Sequence, residues 1–448
     1  MALALTAGLS AQQPSSPYTV DVDYHTLDNG LKVVLSRDTT APVAVVAVYY
    51  NIGFRIEPRD RTGFAHLFEH MMFQGSEHLG KNQFISLVMS NGGVLNGSTR
   101  FDYTNYFQVV PAHTVETMLW AEADRMWGLN ITEENLTNQQ GVVKNEVRVN
   151  VLNQPYGGFP WLTLPQVANT NWYNAHNFYG ALDDLDAATL DDVRSFFKTY
   201  YSPSNAVVVV RGDIDKAQTL EWIRTYFGGI PRADVPPLPD ISEPRQEEEK
   251  RVEQEDPLAT RPALAIGYHH PERNTPEYFA MGLIDQILVQ GNDSRLYQAL
   301  VQEKGLTGDV TGGANVLLGN MFNINGPTLW TAFLFHDAET SADDIIAAFD
   351  AQIERLRTSP VSAEELQRAL TKRRSSLYAE TEQFLGFGAV DLLASYALFD
   401  DDPSMINRLE PRFAEVTPEL ILETAREYLR PTNRTILIVK PGKKGDAQ

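Results

Sequence analysis

The stretch TLDDVRSFFKTYYSPSNAVVVVRGD, residues 189–213, decides the architecture because the chain repeats it. At a constant offset of 228 it returns as TPELILETAREYLRPTNRTILIVKPG, residues 417–442, with Thr189 over Thr417, Pro203 over Pro431 and Asn205 over Asn433. In each copy a threonine can cap a helix, a proline ends it, and a β-branched apolar run follows as a buried strand. Each half therefore closes with the same helix, turn and strand. A weaker echo sets APVAVVAVYYNIG (41–53) beside RPALAIGYHHP (261–271), apolar strands that each lead toward a helix. Between the halves, residues 228–257 (GGIPRADVPPLPDISEPRQEEEKRVEQEDP) are dense in proline and acid and lack apolar periodicity, the mark of an exposed linker running into a strand. The expected organisation is two duplicated α/β halves, residues 18–232 and 247–448, joined by a linker at 233–246. Residues 1–17 read as a signal-peptide remnant or a disordered start.

A length of 448 residues suits two domains of roughly 200 residues each. With 43% hydrophobic and 21% charged residues the chain can build a sizeable core. A net charge of −21 argues against a nucleic-acid partner, which needs a basic face to displace counterions. The chain has no cysteine, so disulfides, thiolate ligands and a cysteine nucleophile are excluded, and any metal must be held by imidazole and carboxylate. No apolar run approaches the ~20 residues of a membrane span. The start MALALTAGLSAQQPSS has an apolar run closing on Gly8, Ser10 and Ala11 but no basic segment before it. The expectation is an exported, periplasmic protein, and otherwise a cytoplasmic one.

The chemistry gathers in RTGFAHLFEHMMFQGSEHL, residues 61–79. Residues 62–73 read as a buried helix, apolar nearly all round. His66 and His70, four apart, stack on one face at ligand spacing, and Glu69 lies about 60° to one side. This is the inverted zinc-protease string H-x-x-E-H. Zinc in a catalytic site takes three protein ligands and leaves a position for water, whose pKa falls to about 7, and a carboxylate beside it can remove the proton. By chance alone the string would occur in roughly one chain in a hundred of this length. Burial sharpens the reading, since two imidazoles and a carboxylate on an apolar helix cost energy unless paired or metallated. His78, beyond Gly75, reads as a loop histidine. In the register of the weaker echo, Met281, Ile284 and Asp285 stand where His66, Glu69 and His70 do, so only the first half keeps the cluster. A third ligand is offered by Glu146, on a helical stripe with Val143 and Val147; on residues alone it reads more simply as a solvated glutamate.

These features together resemble the pitrilysin-type, or inverzincin, metallopeptidases, especially the smaller members similar to the mitochondrial processing peptidase subunits and their bacterial relatives. The resemblance covers nearly the whole chain. It rests on HLFEH, on NGGVLNGSTRFDYTNYF (91–107), on the distance to Glu146, on FYGALDDLDAATLDDVRSFFKTYYSPSNAVVVVRGDID (178–215) and on SRLYQALVQEKGL (294–306). It implies an α+β chain whose halves each carry a mostly antiparallel sheet with helices on one face, together one shell of a clam-shell peptidase. It implies one zinc ion held by His66, His70 and Glu146, with Glu69 as general base. A peptide substrate would join as a strand near Asn96 and Gly97, by main-chain hydrogen bonds that make little sequence demand. Gly92, Gly93 and Gly97 leave room for that backbone or simply form a hairpin turn.

Two departures from the family stand out. Seven residues before Glu146, where the family often has a second glutamate, is Gln139, which can hydrogen-bond behind the ligands but brings no charge. In the second half, self-sufficient members carry an Arg and a Tyr that stabilise the oxyanion, and LVQEKGLTG (300–308) has Val301 and Gly308 there. Neither can donate from a side chain, and losing such a donor costs on the order of 10² to 10³ in rate. Arg295 and Tyr297 do not substitute in register and read as helix-surface and core residues. An intact metal site without the oxyanion pair resembles the catalytic subunit of the heterodimeric members, whose partner lacks the zinc motif and supplies the Arg and Tyr. An enclosed acidic chamber would favour short, unfolded peptides, basic ones included. The alternatives are a non-catalytic structural subunit, similar to the core proteins of respiratory complexes, and a peptide-binding chaperone. Restoring Arg at 301 and Tyr at 308 is expected to recover activity unless Gly308 needs a backbone conformation closed to Tyr.

Overall fold

Threonine capping and apolar runs act as the repeat predicts. Thr189 accepts from the amide of Asp192 at the start of the Leu190–Tyr200 helix, and Thr417 accepts from Leu420 at the start of Pro418–Tyr428. After each helix the turn at Pro203–Asn205 or Pro431–Asn433 delivers the chain into a buried strand. The structure is a computed structural model describing residues 19–442; the expectation for residues 1–17 lies outside the described residues.

The first half builds β1 (Asp23–Thr26), β2 (Lys32–Arg37), β3 (Val43–Tyr50), β4 (Val94–Thr99), β5 (Thr104–Pro111) and β6 (Ala206–Gly212) into one sheet of order β1-β2-β6-β3-β5-β4. The second builds β7 (Lys250–Asp256), β8 (Ala263–His269), β9 (Thr311–Ala314), β10 (Leu329–Phe335) and β11 (Arg434–Pro441) in the order β7-β11-β8-β10-β9. Apart from β1 the two orders are the same. The pairs β2–β6 and β7–β11 are parallel and every other pair is antiparallel. The duplication is thus one of topology as well as of sequence.

Alternation along β3 assigns its faces. Val46, Val48 and Tyr50 pack with the helices Phe64–Met71, Val115–Trp127, Leu190–Tyr200 and Lys216–Phe227, all of the same half. Val45, Ala47 and Tyr49 point the other way, where the 37-residue segment Ala363–Phe399 of the second half lies across the sheet. The second sheet is covered likewise. Its Ile266 and Ile436 face the Pro276–Leu288 and Ala342–Thr358 helices of its own half, while Ala265 and Leu437 rest on Phe159, Leu164 and Ala168 of the first. Each half packs its own helices on one face and lends an element to the other half's opposite face. This is why the β6 run AVVVV, residues 206–210, is apolar on both faces instead of alternating.

Among the described residues no helix is long and apolar enough to cross a membrane. The free edge that matters is β4: Arg100 donates to the carbonyl of Tyr103, so residues 96 and 98 pair inward with β5 while 95, 97 and 99 turn their amides outward.

Candidate metal centre

The helix Phe64–Met71 buries Phe64, Leu67, Phe68 and Met71 and has no capping side chain of its own. Its first amides are met from a distance: the buried carboxylate of Glu57 accepts from Gly63 at 2.9 Å and from Ala65 at 2.5 Å. Gly63 has φ 83°, and a Cβ there would stand 2.5 Å from the carbonyl oxygen of Tyr179. Gly180 makes the reciprocal approach, with a built Cβ 2.3 Å from the amide nitrogen of Gly63. This glycine-to-glycine contact lays residues 178–180 against the start of the helix and carries Tyr179 to the site.

There the Nε2 atoms of His66 and His70 stand 3.2 Å apart, and Oε2 of Glu146 lies 3.6 Å from the first and 3.3 Å from the second. Glu146 comes from the last turn of the Glu133–Val147 helix, whose Val143 and Val147 are buried. Donor atoms around a four-coordinate zinc stand about 3.3 Å apart, given bonds of about 2.0–2.1 Å. The three separations match that spacing, and the donors, two imidazoles and a carboxylate, suit the ion. Among the described residues this is the one group of three such side chains close enough to share a metal.

Electrostatics favours the ligand forms. Burial, with the neighbouring His70 charge, pushes the His66 imidazole down to about 3 and keeps it neutral. Burial pushes Glu146 up, but hydrogen bonding from His70, the proximity of both imidazoles and the Tyr179 hydroxyl outweigh it and leave its carboxyl below the usual range. Tyr179 donates to Oε1 of Glu146 at 3.1 Å, and its ring and that of Phe178 flank His66. Glu69 differs: burial raises its pKa, against a hydrogen bond from Thr99 and the charges of His70 and Arg100. The Thr99 hydroxyl reaches Oε2 of Glu69 at 2.9 Å. A Cβ at Gly97 would lie 3.4 Å from Cγ of Glu69, so the general-base candidate sits directly against the β4 edge.

Two profiles of one peptidase family match in order along the chain: insulinase (peptidase family M16) over residues 32–157 and the peptidase M16 inactive domain over residues 187–373. The chain belongs to the M16 peptidase family. The M16 chain is 25% identical to zinc protease PqqE of Helicobacter pylori over 443 residues, 98% of this chain and 97% of that protein. It is 24% identical to a probable mitochondrial-processing peptidase β subunit of Arabidopsis thaliana over 45% of this chain and 38% of that one. The crystal structure of a protease from Helicobacter pylori superimposes with a TM-score of 0.85 at 25% identity, covering 95% of this chain and all of the other.

Several site residues of this M16 chain were not singled out from its sequence. Thr99 shares a strand face with Gly97, and the two-residue alternation was the available signal. Tyr179 and Glu57 lay within or beside recognised stretches without being assigned. Asn96 and Gly97 lie on the edge strand, with the Gly97 amide donating to Oδ1 of Asn96. Gln139 is buried two turns upstream of Glu146; it donates to Oδ1 of Asn138 and makes no hydrogen bond to the cluster. His78 is held by Asp124 away from the cluster. In the second half Asp285 accepts from the indole of Trp330 at 2.9 Å. Val301 lies in the wide helical turn Tyr297–Glu303, Arg295 pairs with Glu365, and Tyr297 packs against the core. Gly308 has no left-handed φ, and a Cβ there meets nothing within 4 Å, so its backbone is open to Tyr.

Proposed function

We propose that this chain is a zinc-dependent endopeptidase, the catalytic subunit of a two-chain enzyme that hydrolyses short unfolded peptides. The observation that carries the reading is the convergence of His66, His70 and Glu146 within 3.2–3.6 Å, with Glu69 held by Thr99 between them and an open strand edge. Zinc in that set supplies Lewis acidity, polarising a carbonyl and making water acidic near neutral pH. His66, His70 and Glu146 hold the ion, and Tyr179 fixes the Glu146 carboxylate. The outward amides of Leu95 and Thr99 and the outward carbonyls of β4 align the peptide, antiparallel or parallel, as one more strand, beside the Gly97 amide that Asn96 holds. Glu69, with its proton affinity raised by burial, takes a proton from water and returns it to the leaving amine nitrogen. Export to the periplasm belongs to the same proposal, supported by the apolar start ending in small residues and tested by cell fractionation.

The test combines metal analysis with one substitution. About one zinc per chain is expected, and Glu69→Gln is expected to keep it while peptide hydrolysis by the chain with its partner falls at least about 10³-fold. Absence of zinc overturns the reading in favour of a structural or peptide-binding subunit, and full activity in that variant removes Glu69 as the base.

A further inference from the structure

The β4 edge has two faces. Leu95, Gly97 and Thr99 turn toward the metal helix; Val94, Asn96 and Ser98 turn away from it. On the far face Val94 pairs with Val109 and Asn96 with Phe107. Phe107 stacks on Phe387 with ring centroids 3.7 Å apart and meets Phe384 edge-on at 5.9 Å. Here the long segment Ala363–Phe399 breaks: Phe384 and Leu385 have φ of 51° and 57°, followed by Gly386 at 91°. Consecutive left-handed non-glycine residues are costly, and such strain persists where the surroundings impose it, often for function. Burial does not offset it, because Phe384 is 56% and Leu385 66% exposed, with Val94 beside the same edge at 48%. A strained turn thus holds apolar side chains in solvent next to the strand edge that borders Glu69.

We infer that Phe384, Leu385 and Val94, beside the buried Phe107, form an apolar subsite for side chains of a peptide bound as a strand along β4. The inference rests on the edge-strand reading above and adds the substrate class. Side chains of an added strand alternate, so those on either side of a residue facing Glu69 fall on this patch. The favoured substrates carry large apolar side chains two residues apart, and the second half of the chain, which holds no metal ligand, selects them. Main-chain pairing supplies affinity and this patch supplies discrimination.

The test uses the full zinc-loaded chain carrying Glu69→Gln, so that peptides bind without turnover. Fluorescence anisotropy compares a labelled decapeptide with leucine at alternate positions and one with serine there. The leucine peptide is expected to bind about tenfold tighter or better. Adding Phe384→Ser and Leu385→Ser is expected to abolish that preference while leaving zinc content and serine-peptide affinity unchanged. Equal binding of the two peptides, or a preference that survives the double change, overturns the subsite. If the double change disturbs the helical circular dichroism, Val94→Ser reads the same face and is expected to reduce the preference. Cleavage by the wild-type chain with its partner is scored separately. Glu69-dependent cleavage without apolar preference leaves the peptidase and removes the subsite; apolar preference without cleavage does the reverse.

Discussion

At the scale of single residues, the site is a set of carboxylates held in unlike environments. Glu146 is drawn to the charged form by His70, His66 and Tyr179, as a ligand must be, whereas burial gives Glu69 a raised proton affinity, as a base and acid must have. Thr99 is then a positioning residue: its hydroxyl fixes one oxygen of Glu69 and leaves the other for the proton transfer. Thr99→Val keeps the shape and removes the donor, and the expected result is a kcat about 10- to 100-fold lower with zinc content unchanged. Steady-state kinetics beside metal analysis checks it; a loss of zinc instead would make Thr99 structural. His66, Glu69 and His70 were legible because they lie within five residues of one helix. Thr99 and Tyr179 were not, since they reach Glu69 and Glu146 across 30 and 33 positions and only the folded chain brings them together. Glu146 itself rested on a resemblance for the same reason.

At the scale of elements, the two halves put one topology to different uses. The helix after β3 carries His66 and His70, two of the three proposed metal ligands; the helix after β8, Pro276–Leu288, puts Asp285 at the place of His70. Burial raises the Asp285 carboxyl to about 6, against the hydrogen bonds from Trp330 and Gln290. An acid whose folded pKa lies above its unfolded value binds its proton more tightly when folded. Its contribution is therefore complete below about pH 4 and lost as the pH rises through about 6, by an amount on the order of 2–3 kcal/mol. Asp285→Asn keeps an oxygen for Trp330 and carries no charge. It is expected to raise Tm at pH 8 and to leave it nearly unchanged at pH 4, measured by thermal circular dichroism at both. The repeat was readable at this scale because helix caps, prolines and β-branched runs are local. What covers the far face of each sheet was not, because an apolar face shows that it is buried without showing which element buries it.

At the scale of the molecule, the halves are fastened together. Buried Arg55 pairs with Asp102 and donates to the carbonyl of Pro327; Asp102 accepts from the amide of Asn325; and Tyr49 and Tyr103 of the first half share Asp391 of the second. With each half also lending an element to the other's sheet, the two halves pack as one unit, so in the proposed two-chain enzyme access to an enclosed site would come from movement between the chains. In the proposed enzyme the oxyanion donors come from another chain, since Val301 and Gly308 offer no side-chain donor. The proposed partner, homologous but without H-x-x-E-H, supplies an Arg and a Tyr across the chamber. The chain alone is therefore expected to run about 10² to 10³ below the mixture in kcat/KM at equal zinc content. Val301→Arg with Gly308→Tyr provides the sharper test. Position 308 has an ordinary backbone and open space, so the double change should fold and raise activity in any assembly in which the second half of one chain faces the metal centre of another. A gain that grows with the square of enzyme concentration at low concentration would place the added donors in trans. Full activity of the unaltered chain as a monomer would remove the need for a partner altogether.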